Sequence, residues 1–251
     1  MQLRRSQHGF SLVELAIVFA IVALLIAGAM MTLSAQVEQR NSTETQRRLN
    51  AAVDAIIAFA IVNGRLPCPA VAGATGDESP AGGGPCTTWY GGFLPAKTIG
   101  FQPTDSSGYA VDSWSNRIRY VVAHTITGCT GGGANPFTSQ ADLKTDGVGC
   151  RPNDIDICFS ATGASASSCN SSANRAVSSN TVAFIVFSTG KNGATAGAYG
   201  TDELANVDGN QVFVSRTPSG PDSSIGTYDD LMVWVPAGVL YSKLISAGVL
   251  P

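Results

Sequence analysis

Three groups of residues in this chain could do chemistry. Glu14 stands inside an apolar run from Phe10 to Met31, where a carboxylate costs on the order of a few kcal/mol unless a cation meets it. Six cysteines, Cys68, Cys86, Cys129, Cys150, Cys158 and Cys169, lie beyond that run. An even count in Gly/Ser/Pro-rich surroundings reads as up to three disulfides in an oxidising compartment. Asp222, Asp229 and Asp230 fall in a Gly/Ser/Pro-rich stretch, the kind of flexible loop from which a hard cation such as calcium takes oxygen ligands; the alternative is a solvated acidic turn. Asp202, Asp208 and Asn210 form a second, weaker oxygen cluster, and Asp154 and Asp156 alternate as one solvent-facing strand edge.

Other chemistries fail on the residues that would carry them. His8 precedes the apolar run, which leaves His124 as a single histidine with no second one for a metal pair. No Gly-x-Ser-x-Gly elbow is present. Gly190-Lys191 has Asn192 where a phosphate loop needs Ser or Thr and Ile185 where it needs its first Gly. Zinc needs close Cys-x-x-Cys pairs, which are missing. The six cysteines permit 15 connectivities. Neighbour pairing is the expectation adopted: Cys68 with Cys86, Cys129 with Cys150, Cys158 with Cys169. Arg117 and Arg119 share one face of a strand with Tyr120 on the other, and two arginines in an acidic domain more often form salt bridges than a nucleic-acid contact.

The element that must position Glu14 is a helix. The run from Phe10 to Met31 is apolar apart from Ser11 and Glu14, and at ~1.5 Å per residue it spans a bilayer core of ~30 Å. If the chain is cut after Gly9, the new α-amino group of Phe10 lies one helical turn from Glu14, or beside the Glu14 of a neighbouring subunit. Helical rhythm resumes at Leu49, Val53, Ile56, Ile57, Ala60 and Ile61. One helix from Phe10 to about Asn63, stopped by Gly64 with Pro67 beyond, is therefore expected. The alternative is two helices broken near Asn41-Ser42-Thr43.

The short basic leader ending in Gly9, then Phe10, Glu14 at the fifth position after the cut and a long apolar helix resemble the prepilin leader of type IV pilins and type II secretion pseudopilins. The resemblance implies cleavage after Gly9 by a membrane prepilin peptidase, methylation of Phe10, and docking of the subunit into a filament through Glu14. Its implied partners are the peptidase, other pilin or pseudopilin subunits and an inner-membrane assembly platform. Its implied location is a single pass of the inner membrane, with the head in the periplasm or on an extracellular filament. An uncleaved signal anchor and a secretory signal cut near Leu33-Ser34-Ala35 remain as alternatives. Where many pilins carry proline at the twenty-second mature position, this chain has Met31.

The resulting division is a leader (1–9), a transmembrane and assembly helix (10–31), the extramembrane half of that helix (32–64) and a disulfide-rich α+β head (65–251). Only 13% of residues are charged, and the net charge of -3 becomes -5 once Arg4 and Arg5 leave with the leader, so no basic nucleic-acid footprint exists overall. Arginines flank the apolar run on both sides, so orientation rests on the leader and the cysteines. A loop rich in Gly and Pro is expected from Cys68 to Gly108.

Strands are expected at Ile118 to Ala123, Ile155 to Phe159, Thr181 to Phe187, Gln211 to Ser215 and Leu231 to Val235, followed by a short C-terminal helix ending at Gly248. The fold class is α+β, a long helix packed on an antiparallel sheet. Asp112-Ser113-Trp114-Ser115-Asn116 through Tyr120 is similar to the Asp-Pro-Trp-Gly-Asn segment of major pseudopilins, and Ser188 to Gly193 to their Ser-x-Gly-x-x-Gly turn. Those proteins hold calcium in a loop near the C-terminus, which the resemblance places here at Asp222, Asp229 and Asp230. The function expected is a structural, minor or specialised filament subunit without enzymatic activity. The alternative is a filament-tip adhesin or DNA-uptake module that uses the stretch from Gly128 to Ser179.

Overall fold

The computed structural model describes residues 11–124, 126–127, 129, 135–195 and 199–250, and for 27–34 and 126–127 the backbone alone. Gly9 and Phe10 therefore lie outside the described residues, as does His8. The chain divides into two units, Met1–Asn41 and Ser42–Pro251.

Helix α1, Leu12–Asn63, begins in the first unit and ends in the second with no break at Asn41 to Thr43. From Leu12 to Ile26 it presents apolar side chains on every side. Leu12 (86% exposed), Leu24 (75%) and Leu25 (68%) stand on different faces, and all the large apolar residues from Leu12 to Ile26 are exposed. Among the described residues no helix is long and apolar enough to cross a membrane. The continuous apolar run of described side chains ends at Ile26, about 21 Å along the axis from Leu12 and short of a ~30 Å bilayer core. The rest of the expected span, Phe10 and 27–31, lies beyond them.

In the second unit α1 has one buried face. Thr45, Leu49, Ala52, Ile56 and Ala60 recur at helical spacing and are fully buried, with Val53, Ile57 and Ile61 packed beside them. Gly64 ends the helix at φ +65, its N–H bonded to the Ala60 carbonyl; a side chain there would strike Gln140. The segment expected to be a loop contains strand β1, Gly92–Phe93, and a single helical turn α2, Ala96–Ile99. It is anchored by Arg65, whose guanidinium grips Glu78 through two bonds of 2.8 and 2.7 Å in a buried setting. Burial alone would raise the Glu78 pKa, but Arg65 and the N–H groups of Cys68 and Gly82 outweigh it and hold the carboxyl below its ordinary value.

The following elements are β2 (Arg119–Val122), β3 (Ile126–Thr127), α3 (Gln140–Asp146), β4 (Arg151–Pro152), β5 (Asp156–Cys158), β6 (Val182–Ser188), α4 (Thr201–Val207), β7 (Val212–Val214), β8 (Leu231–Pro236) and α5 (Ala237–Ser246). The main sheet runs β1-β2-β6-β8, antiparallel throughout, with Gly92 opposite Tyr120, Tyr120 opposite Val186 and Val186 opposite Val233. Strand β6 is buried at every residue, as a central strand apolar on both faces must be.

Two of the expected strands do not join this sheet. β5 and β7 pair with each other in parallel, and β3 pairs with β4. Asp154 and Asp156 are also not a solvent-facing edge. Both are buried, Asp154 accepting from Tyr90 Oη and the His124 N–H, Asp156 from Arg175 and the Cys169 N–H. These carboxylates turn inward because each has donors from distant segments to replace water.

Candidate functional site

At the start of α1, Ser11 and Glu14 exchange hydrogen bonds. The Glu14 N–H donates to Ser11 Oγ (3.2 Å) and the Ser11 N–H to Glu14 Oε2 (3.4 Å). This is the reciprocal capping arrangement of Ser-x-x-Glu, which satisfies two N–H groups that a helix end leaves open. The pattern was available in Ser11-Leu12-Val13-Glu14 and gives Glu14 a local role besides any meeting with an amine. Glu14 is exposed, so its carboxylate remains open to a further partner.

All six cysteines are paired: Cys68 with Cys86, Cys129 with Cys150 and Cys158 with Cys169. The first closes the Gly/Pro-rich segment after α1, and the third lies beside β5. Each removes conformations from the unfolded chain, stabilising by roughly 2–4 kcal/mol.

The two turn motifs meet. Asp112 accepts from the N–H groups of Trp114 and Asn116 (2.9 and 2.8 Å), folding the turn without a proline, and Ser115 takes the left-handed conformation at φ +69. Ser188 Oγ donates to Asp112, and Asn116 Nδ2 donates to the Gly190 carbonyl. Arg48 of α1 donates to the Val111 and Asp112 carbonyls, so helix, turn and sheet end share one polar junction. Burial pushes the Asp112 carboxyl upward against these donors.

Beyond that junction lies a carboxylate cluster. Glu203, Asp229 and Asp230 each present an oxygen within 4.8 Å of the others. Glu203 comes from the first turn of α4 and accepts from Gly200 N–H (2.6 Å), Asp229 N–H (2.7 Å) and Asn192 Nδ2 (2.8 Å). Asp229 takes the N–H groups of Lys191 and Asn192 on one oxygen, while Asp230 takes Asn206 Nδ2 at 2.7 Å. Gly190, at φ +63, lets the turn approach so closely that a side chain there would overlap the Asp229 carboxylate.

The second oxygen of Asp229 and that of Asp230 are buried without a hydrogen-bond partner. Burial, with the Glu203 charge adding to it, pushes Asp229 up to about 6, and burial pushes Asp230 up to about 8 with Glu203 and Asp229 adding. Three carboxylates drawn together, two of them with an orphaned oxygen, are a donor set that suits calcium.

Asp222 is exposed and does not belong to this group; Glu203 occupies the third place. Asp202, Asp208 and Asn210 are not drawn into one site. Asp202 is bound by Arg216 at 2.7 Å and by Ser160 and Ala161, whereas Asp208 bonds Asn210. Arg117 pairs with Asp105 (2.7 Å) and stacks on Tyr109, Arg119 lies over Phe93, and Tyr120 is buried with its hydroxyl on the Pro67 carbonyl. His124 stacks on Trp89, ring centres 4.1 Å apart.

Residues 4–30 match the family model described as the prokaryotic N-terminal methylation motif, the signature of prepilins and pseudopilins. No curated protein and no solved structure matches the chain.

Proposed function

We propose that this chain is a structural subunit, minor or specialised, of a type IV pilus or type II secretion pseudopilus. A prepilin peptidase cuts after Gly9 and Phe10 is methylated. The apolar start of α1 lies in the inner membrane, with Ser42–Pro251 on its outer side, until an assembly platform drives the subunit into the filament. One observation carries this reading: the methylation motif coincides with a helix start whose apolar side chains are exposed on every face. A helix of that kind must be covered by lipid or by other apolar helices, and a filament core offers the second after the membrane has offered the first.

Glu14, already fixed by Ser11, neutralises an N-terminal amine during that transfer. The test is incorporation. Wild-type chain is expected in the sheared filament fraction and Glu14→Ala in the membrane fraction, cleaved but unassembled; normal assembly of Glu14→Ala would sink the role.

Calcium belongs to the same proposal. Glu203, Asp229 and Asp230 would hold it, tying the start of α4 and the Gly190–Asn192 turn to the segment that enters β8. Its charge would replace the proton that Asp230 otherwise retains near neutral pH and would meet the charge on Asp229. Nothing in the proposal calls for an enzymatic role.

A further inference from the structure

Two concavities of the second unit are not alike. One, of about 450 Å³, is lined by Arg216, but that guanidinium is already saturated by Asp202, Ser219 and the carbonyls of Ile225 and Gly226. The other, of about 770 Å³, lies between α5, the segment entering β4 and the loop before β6, and its polar groups are unspent. Among the described residues, the side chains of Arg151, Ser178, Ser179, Asn180 and Ser242 make no hydrogen bond or ion pair, although all five line the cavity.

Among the described residues no carboxylate lines it, so its one charged side chain, Arg151, favours an anionic ligand over a cationic one. The wall is firm. Tyr241 is fixed by its hydroxyl, which donates to the Cys150 carbonyl at 2.8 Å, and Cys150 is held by its disulfide. Val148 and Ile245 add exposed apolar surface. A second cavity of about 330 Å³ adjoins at Ser178 and Ser179; its Arg175 is already paired with Asp156.

We infer that this groove binds an acidic oligosaccharide, a sugar chain bearing carboxylates. Hydroxyl and amide groups on one side match the hydroxyls of a sugar, the apolar wall of Tyr241, Val148 and Ile245 matches its C–H faces, and Arg151 matches its carboxylate through a forked donor pair. The shared Ser178–Ser179 rim lets the occupant extend beyond one sugar ring. An inorganic anion would satisfy Arg151 and leave the hydroxyls and the apolar wall unused. The inference does not rest on the filament reading, because binding is read on the purified full-length chain in detergent whether or not it assembles.

The probe is trigalacturonic acid, titrated calorimetrically beside the same trisaccharide with its carboxyls methyl-esterified. The acid is expected to bind at least about tenfold more tightly than the ester, and Arg151→Ala to weaken the acid by at least about tenfold. Ser242 is exposed, so Ser242→Trp fills the groove without entering the core and is expected to abolish binding while thermal unfolding stays unchanged. Equal binding of acid and ester, displacement by sulfate at the same concentration as by the trisaccharide, or indifference to both folded variants would each overturn the inference.

Discussion

The first 16 described residues, 11–26, and the unit from Ser42 onward handle apolar side chains in opposite ways. In the first, every large apolar residue is exposed and the only polar feature is the Ser11–Glu14 exchange. In the second, Leu49, Ile56, Tyr120 and the whole of β6 are buried, and buried carboxylates such as Glu78 and Asp156 are met by donors from distant segments. One segment is complete only in contact with something else; the other closes on itself. A partner-dependent segment carries its message in a short contiguous pattern, which is why the methylation motif is matched there.

The largest effect that separates the two regions comes from the Arg65–Glu78 pair. Arg65→Ala leaves a buried carboxylate unpaired and is expected to cost roughly 3–5 kcal/mol in denaturant unfolding of the full chain. Val18→Ala, on the exposed run, should change that same unfolding by less than about 0.5 kcal/mol. Comparable losses from both would erase the contrast.

Next is the carboxylate cluster. Calcium at about 100 times its Kd should add roughly 2.7 kcal/mol to stability, read as a rise in Tm, and Asp230→Asn should remove most of it. The pH dependence has a definite sign. Asp229 and Asp230 sit at about 6 and about 8, above an ordinary aspartate near 3.9, so the folded state favours their protonated forms. In chelator, the stability they contribute is full below pH ~4 and is lost as pH rises through about 6 and about 8. The gain from calcium is therefore larger at pH 8 than at pH 5, and a gain independent of pH would show that the ion binds elsewhere.

The smallest effect sharpens the account of Glu14. Its cap is worth about 1 kcal/mol, and Glu14→Gln keeps the cap while removing the charge. If charge is what assembly requires, Gln fails in the filament fraction as Ala does, with helix content by circular dichroism unchanged. Normal assembly of the Gln variant would assign Glu14 to capping alone.

Much of the fold was legible because it follows local rules. The spacing of Leu49, Ile56 and Ala60 marked the buried face of α1, Gly64 marked its end, and the apolar run from Thr181 marked the central strand. What escaped the sequence depends on distant partners. Glu203 lies 26 residues before Asp229 and shares no local pattern with it. Asp156 reads as an exposed residue until Arg175 and the Cys169 N–H are placed around it. The parallel pairing of β5 with β7 likewise depends on a long return of the chain. The Ser11–Glu14 cap was written locally and was hidden only by reading Glu14 as a charge.

The central claim, that the exposed start of α1 is a processed assembly segment, is tested most directly by the intact mass and N-terminal residue of the protein purified from membranes without reductant. The account predicts a chain that begins at methylated Phe10, with its mass lowered by the six hydrogens of three disulfides. A chain that still begins at Met1, or one cut beyond the apolar run, would contradict it.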